Sequence, residues 1–187
     1  MTMISVDIGG GESHEYSSGI TAGEVIQNVH GKKSGAVAAT VDGEERDMSH
    51  ILDSDCKVEP IIGDSEQGLY ILRHSCAHLL AQAVTELFPD AKPTIGPPIE
   101  HGFYYDFHMD PIGEGEMREI EKRMKELVKQ NLPMEREEHG NDSLREMFAS
   151  NPFKLEIMDD KIGGDVGSSA YRQGDFVDLC RGPHVSA

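Results

Sequence analysis

The chain has 187 residues, of which 34 are Asp or Glu and 17 are Lys or Arg, giving a net charge of −17 with 27% charged and 37% hydrophobic residues. That length accommodates one or two domains. Acidity on this scale excludes a protein that coats nucleic acid through its phosphates, because each such contact needs a Lys or Arg to displace a counterion; any nucleic-acid contact must be local, and DNA is not expected as a partner. Residues 1–10 lack the basic start and apolar stretch of a secretory signal. The apolar runs at 36–41 and 79–84 are far short of the roughly 20 residues a membrane helix needs. Three cysteines, Cys56, Cys76 and Cys180, do not read as a disulfide framework. The expectation is a cytoplasmic protein without a membrane partner.

The alternation of Ile4, Val6 and Ile8 before Gly9-Gly10-Gly11 predicts a strand closed by a turn. Thr21-Ala22-Gly23-Glu24 has the form of a capping box and predicts a short helix to Val29. Residues 36–41, followed by Asp42-Gly43 and a polar run to Ile51-Leu52, predict a hairpin, since Asp-Gly supplies positive φ angles. Strand, helix and hairpin make a small α+β unit. The Gly-rich stretch 61–68 reads as a linker. A helix is expected from about Leu69 to Phe88, stopped by Pro89, with Leu72, Cys76, Leu79, Leu80, Ala83 and Leu87 as its core stripe. His74 and His78 lie off that stripe, on a face that reads as polar and uncrowded.

Residues 93–98 read as a loop and 101–107 as an aromatic-rich strand with Tyr104 and Tyr105 on opposite faces. A second helix, about Glu114–Asn131, has Met117, Ile120, Met124, Leu127 and Val128 on one side and Glu114–Arg118, Glu119–Arg123 and Glu121–Lys125 pairs on the other, a solvated charge face. Asp142 is expected to cap a short helix to Ala149. Phe153–Met158 and Ala170–Leu179 read as strands, the second after a turn at Gly163–Gly167; on the first, Lys154 would point away from its apolar neighbours. No internal repeat is evident.

Four side chains form a metal-ligand type of inventory: His74 and His78 one turn apart on a helix, and Cys180 and His184 as Cys-x-x-x-His. Imidazoles at i and i+4 can converge, and a Cys–His pair could complete a four-ligand zinc shell. The same spacing also fits surface or hydrogen-bonded core histidines. Asp178-Leu179-Cys180-Arg181-Gly182-Pro183-His184 packs an acid, a thiol, a guanidinium and an imidazole around a Gly-Pro turn, which suggests a cleft, since burying such groups without partners is costly.

The segments His74-Ser75-Cys76-Ala77-His78-Leu79-Leu80, Ile95-Gly96-Pro97-Pro98-Ile99-Glu100-His101-Gly102-Phe103-Tyr104-Tyr105-Asp106 and Asp178 to His184 together resemble the N-terminal region of bacterial-type threonyl-tRNA synthetases. The resemblance covers nearly the whole chain. It implies an α+β protein with a β-grasp (ubiquitin-like) TGS domain over residues 1–62. Residues 63–187 would then be an editing domain of the threonyl/alanyl-tRNA synthetase type, with an antiparallel sheet and a long His-bearing helix, truncated at its C-terminus. The function implied is hydrolysis of serine mistakenly attached to threonine tRNA, in a parent enzyme that ligates threonine to tRNA with ATP.

Carried across residue by residue, the resemblance nominates His74, His78, Lys154 and His184 as catalytic and Tyr105, Asp178 and Cys180 as substrate-binding. His184 or Lys154 would position or deprotonate water. His74 and His78 would hold the ribose and terminal nucleotide, Asp178 the serine ammonium or hydroxyl, and Cys180 would shape the site. His74, His78, Cys180 and His184 resemble the zinc ligands of the alanyl branch, but the resemblance implies no metal requirement for editing here, with Lys154 as a cationic substitute. ATP, a synthetic-site zinc and homodimerisation belong to regions of the family beyond this sequence. The partner implied is the aminoacylated 3′ end of a tRNA. Two alternatives stay open: a zinc-dependent trans-editing hydrolase for another aminoacyl-tRNA, and a non-catalytic tRNA- or partner-binding module.

Overall fold

A computed structural model of the chain describes residues 2–161 and 169–187. It is a mixed α+β protein that divides into two units, one formed by residues 1–72 and 182–186 and the other by residues 73–181 with Ala187. The expected turn at 163–167 lies outside the described residues.

In the first unit, β1 (Met3–Asp7) forms a hairpin with β2 (Ser13–Ser17). A short β3 (Ile20–Thr21) leads into α1 (Ala22–His30), whose start carries the predicted capping box: the Thr21 hydroxyl accepts from Glu24 N–H while the Glu24 carboxylate accepts from Thr21 N–H. Next come β4 (Ala36–Val41), β5 (Glu44–Arg46), β6 (Ile51–Leu52) and β7 (Cys56–Ile62). The β4–β5 turn places Asp42 at φ 51° and Gly43 at φ 84°, as the Asp-Gly pair predicts. The five-stranded sheet runs β2-β1-β7-β4-β5, with β1 and β7 parallel and the other pairs antiparallel. Val25 and Ile26 of α1 are buried on Ile4, Val6, Ala39, Leu52 and Val58; burying each such side chain contributes about 1.5–3 kcal/mol. Ala38, one residue on from Ala39, lies on the opposite face and packs with Ile61, Ile71, Val37 and Val185.

β7 runs through Ile62 and the next helix, α2 (Glu66–Leu87), starts four residues later, so the expected linker is a three-residue turn. The chain can turn that tightly because residue 68 has no side chain: a Cβ on Gly68 would sit 2.0 Å from the Ile62 carbonyl oxygen.

From residue 73 onward, α2 belongs to the second unit. The most buried residues of α2 include Ala77, Ala81, Ala83 and Val84 together with His78 and Gln82, whereas Leu87 is 36% exposed. The expected core stripe is thus corrected: the helix is covered on more than one side, and the face of His78 is buried rather than open. A long hairpin follows, built from β8 (Lys92–Pro93), β9 (Pro98–Ile99), β10 (Gly102–Phe103) and β11 (Phe107–His108). It is tied by Thr94 N–H to Asp106 O and Asp106 N–H to Ile95 O, both 2.9 Å. The single strand expected at 101–107 is therefore two short pieces with Tyr104 and Tyr105 between them, one phenol exposed and the other turned inward.

The next helix is α3 (Glu114–Gln130). Ile120 and Leu127 pack on Ala83, Val84 and Ala91, but Met117 and Val128 are exposed, so its apolar side is narrower than the spacing suggests. Glu114–Arg118 and Glu121–Lys125 pair as expected, while Arg123 turns instead to Glu86 at 2.6 Å and Glu126 at 3.2 Å.

β12 (Glu135–Glu138) precedes α4 (Asn141–Met147), whose cap is Gly140; Asp142 lies in the first turn rather than at the cap. Residues 153–158 are not a strand. They belong to α5 (Pro152–Lys161), because Pro152 suits the first helical position and the Asn151 side chain accepts from Phe153 N–H at 3.2 Å and Lys154 N–H at 3.4 Å. The expected strand 170–179 is a hairpin, β13 (Ser169–Gln173) and β14 (Phe176–Leu179), turned at Gly174 with φ 61°. β12-β13-β14 form an antiparallel sheet, and Leu144 of α4, Phe148 just after it and Met158 of α5 pack on Ala170, Val177 and Leu179.

Candidate active site

The alternation of β14 creates the site. Val177 and Leu179 face the α4–α5 core, so Phe176, Asp178 and Cys180 share the other face. Against that face lie the two histidines of α2. The His78 ring meets Phe176 edge-on at 4.9 Å between centroids, and His74 Nε2 lies 3.2 Å from Cys180 Sγ. Cys180 is fixed by its own backbone, which accepts from Ser169 Oγ at 2.6 Å.

Asp178 sits between two further elements. Lys154, the third residue of α5, places Nζ 2.5 Å from Asp178 Oδ1 and 2.9 Å from Tyr105 Oη. The Tyr105 hydroxyl in turn donates to Asp178 Oδ2 at 2.5 Å, and Leu179 N–H donates to Oδ1 at 2.8 Å. Lys154 is 3% exposed and Asp178 5%, so this is a desolvated ion pair rather than a surface one. Asn151 anchors the start of α5 to the hairpin by donating to Pro93 O at 2.8 Å, which aims Lys154 inward. Asn151 was not among the nominated residues, yet Asn151-Pro152 is an N-cap followed by proline at the first helical position, a signal readable in the sequence.

The electrostatics follow from burial and from these partners. Desolvation, reinforced by the charges of His74 and Lys154 and opposed by Asp178, pushes the His78 imidazole down to about 4, so it is neutral at pH 7. Burial, then the Asp178 charge and hydrogen bond, hold the Tyr105 phenol far above its ordinary value, so it remains a donor. Burial alone would raise the Asp178 carboxyl; the Lys154 ammonium, with His78 and the Tyr105 bond, outweighs it and keeps the group below the usual carboxylate value. The result is a fixed cation, a fixed anion, a neutral imidazole and a phenol in one dry cluster.

Six of the seven nominated residues, His74, His78, Tyr105, Lys154, Asp178 and Cys180, therefore meet within the second unit, joined by direct contacts or by the electrostatic coupling of His78 to Asp178, His74 and Lys154. His184 falls in the first unit, where it is buried and its backbone N–H donates to Asp47 Oδ1 at 2.9 Å. Lys154 is the largest departure from expectation, buried on a helix instead of exposed on a strand. Of the zinc-type donors, His74 Nε2 and Cys180 Sγ lie 3.2 Å apart within the second unit. Among the described residues no helix is long and apolar enough to cross a membrane.

No protein-family model matches the chain. Curated proteins do. A threonine-tRNA ligase of Thermoplasma volcanium is 52% identical over 139 residues, 74% of this chain and 21% of that protein. Those of Streptococcus thermophilus and Rubrobacter xylanophilus are each 41% identical over 98% of the chain and 29% of their own length. Along nearly all of its sequence, the chain is thus homologous to a part of the threonine-tRNA ligases amounting to about three tenths of their length.

Proposed function

We propose that the chain supplies post-transfer editing, the hydrolysis of the ester joining serine to threonine tRNA, within an enzyme that ligates threonine to tRNA with ATP. The observation that carries this reading is the buried Lys154–Asp178–Tyr105 cluster beside the paired histidines of α2. The homology to threonine-tRNA ligases supports the substrate. An editing step is needed because a synthetic pocket rejects a substrate lacking one methyl by only about 1–3 kcal/mol.

Ester hydrolysis needs a donor for the developing oxyanion, a group to hold the amino acid and a positioned water. Lys154 is the natural donor: its charge is fixed by Asp178 and Tyr105 in a water-poor site, where electrostatic stabilisation is strongest. The Asp178 carboxylate suits the serine ammonium. His74 and His78 can give or accept hydrogen bonds to a ribose, His78 without adding charge at pH 7, and Cys180, held by His74 and Ser169, shapes that wall. Water is assigned to Lys154 or His184 on the motif resemblance. A fixed ammonium makes a catalytic metal unnecessary in this scheme.

Residues 1–62 are proposed as a TGS domain, supported by a sheet with a central parallel pair crossed by one helix; residues 63 onward are proposed as the editing domain. The RNA contact is proposed to be the single-stranded acceptor end, held by stacking and a few polar bonds, in keeping with a charge of −17 and a cytoplasmic setting. The parent enzyme is proposed to dimerise through regions beyond this sequence. Incubating the chain with seryl- and threonyl-tRNA for threonine tests the reading: serine should be released and threonine kept.

A further inference from the structure

Among the described glycines, Gly96 meets an obstacle of a distinctive kind. A Cβ built on it would lie 2.1 Å from Tyr105 Cδ2 and 2.7 Å from both Cγ and Cε2, in collision with one edge of the ring, whereas Gly102, Gly115 and Gly140 have nothing within 4 Å. Gly96 does not need glycine for its backbone, because its φ is not among the positive ones. The constraint is purely one of space. Residues 95 and 106 are hydrogen-bonded across the hairpin, which brings the Gly96 backbone directly against the Tyr105 side chain.

The ring has little room to yield. Its hydroxyl is tied to Lys154 Nζ and Asp178 Oδ2, and its face packs on Phe107 at 5.0 Å between centroids with 30° between planes. A methyl at position 96 must therefore push the ring off the two groups it bridges or open the hairpin. We infer that Gly96 is a positioning residue: the bare backbone at 96 seats the Tyr105 ring so that its hydroxyl bridges Lys154 and Asp178, and any side chain there unseats the network. This inference rests on the editing reading for its consequence in catalysis, but its geometry stands independently of that reading.

The test uses the full chain as wild type, Gly96→Ala, Tyr105→Ala and the double variant, with carbon-13 labels in the tyrosine rings for NMR. In wild type the Tyr105 ring signal should show no titration up to pH 11, because the phenol is buried against a carboxylate. In Gly96→Ala that signal should shift and begin to titrate, and seryl-tRNA hydrolysis should fall through kcat, by on the order of 100-fold for a displacement of about 1 Å. Adding Gly96→Ala to Tyr105→Ala should change neither hydrolysis nor the urea midpoint, since the ring the methyl would strike is gone; this comparison also holds if Gly96→Ala alone folds poorly. An unshifted, non-titrating Tyr105 in Gly96→Ala, or a full further loss in the double variant, overturns the inference. Failure of the wild type to hydrolyse seryl-tRNA, with the NMR changes present, overturns the editing reading and leaves the role of Gly96 standing.

Discussion

Replacing Lys154 by methionine keeps an unbranched side chain one atom shorter and removes the charge that the Asp178 site is built around. Asp178 would keep the Tyr105 hydroxyl and Leu179 N–H as donors, but its carboxylate would be buried without a counterion. Breaking one side of a buried pair costs about 3–5 kcal/mol, a large part of the 5–15 kcal/mol that holds a typical domain. The sign of the pH dependence is specific. In the wild type Asp178 lies below its ordinary value; in Lys154→Met burial acts unopposed by the ammonium and lifts the carboxyl above its unfolded value. The variant's deficit should then be largest at pH 7 and shrink as pH falls and Asp178 takes up a proton. Replacing the whole network, Lys154→Met with Asp178→Leu and Tyr105→Phe, should recover most of the loss, because no orphaned polar group remains. Urea unfolding, together with hydrogen exchange of the β13 amides to report the second unit alone, measures all three quantities. A cost below about 1 kcal/mol for Lys154→Met at pH 7 would refute a desolvated pair, since that is the range of solvent-exposed ion pairs.

Other consequences are as definite. Unfolded His78 binds a proton below about pH 6.5 but the folded imidazole does so only near 4, so the second unit should lose stability as pH drops through that window, by at most about 3 kcal/mol; His78→Gln should flatten the curve there. Asp178 adds a further loss below its unfolded value, its stabilisation being present above that value and disappearing as pH falls through the folded one. Gly68→Ala should destabilise the first unit by about 1–3 kcal/mol, because the added methyl meets the Ile62 carbonyl, a backbone atom that cannot step aside; unchanged unfolding of residues 1–72 would count against the tight β7–α2 turn. Protein purified without an affinity tag should carry far less than one zinc per chain by elemental analysis, and stoichiometric zinc would displace Lys154 from its assigned role.

Much of this was written in local sequence. The Thr21–Glu24 capping box and the Asp42-Gly43 turn declare themselves because the residues that need special geometry also supply it. The strands β2 and β12 carry no clean alternation, β2 being Ser-His-Glu-Tyr-Ser and β12 Glu-Arg-Glu-Glu, whereas β7 alternates from Cys56 to Glu59 but holds Pro60, which reads against a strand. Lys154 was misplaced for a different reason. Phe-Lys-Leu-Glu-Ile reads as period 2, and only the preceding Asn151-Pro152 reveals a helix start, which turns the same residues through 100° steps and buries the lysine. Asp178 and Cys180 sit two apart at the end of β14 and just beyond it, so their common face is legible; that His74 and His78 lie opposite that face is a tertiary fact that spacing cannot supply.

The most direct measurement of the central claim is hydrolysis of seryl-tRNA for threonine by the wild-type chain and by Lys154→Met, with threonyl-tRNA alongside. The wild type should release serine and spare threonine, and the Lys154 variant should release neither. Release of serine undiminished by loss of the Lys154 charge, or equal release of threonine, would contradict the site as assigned.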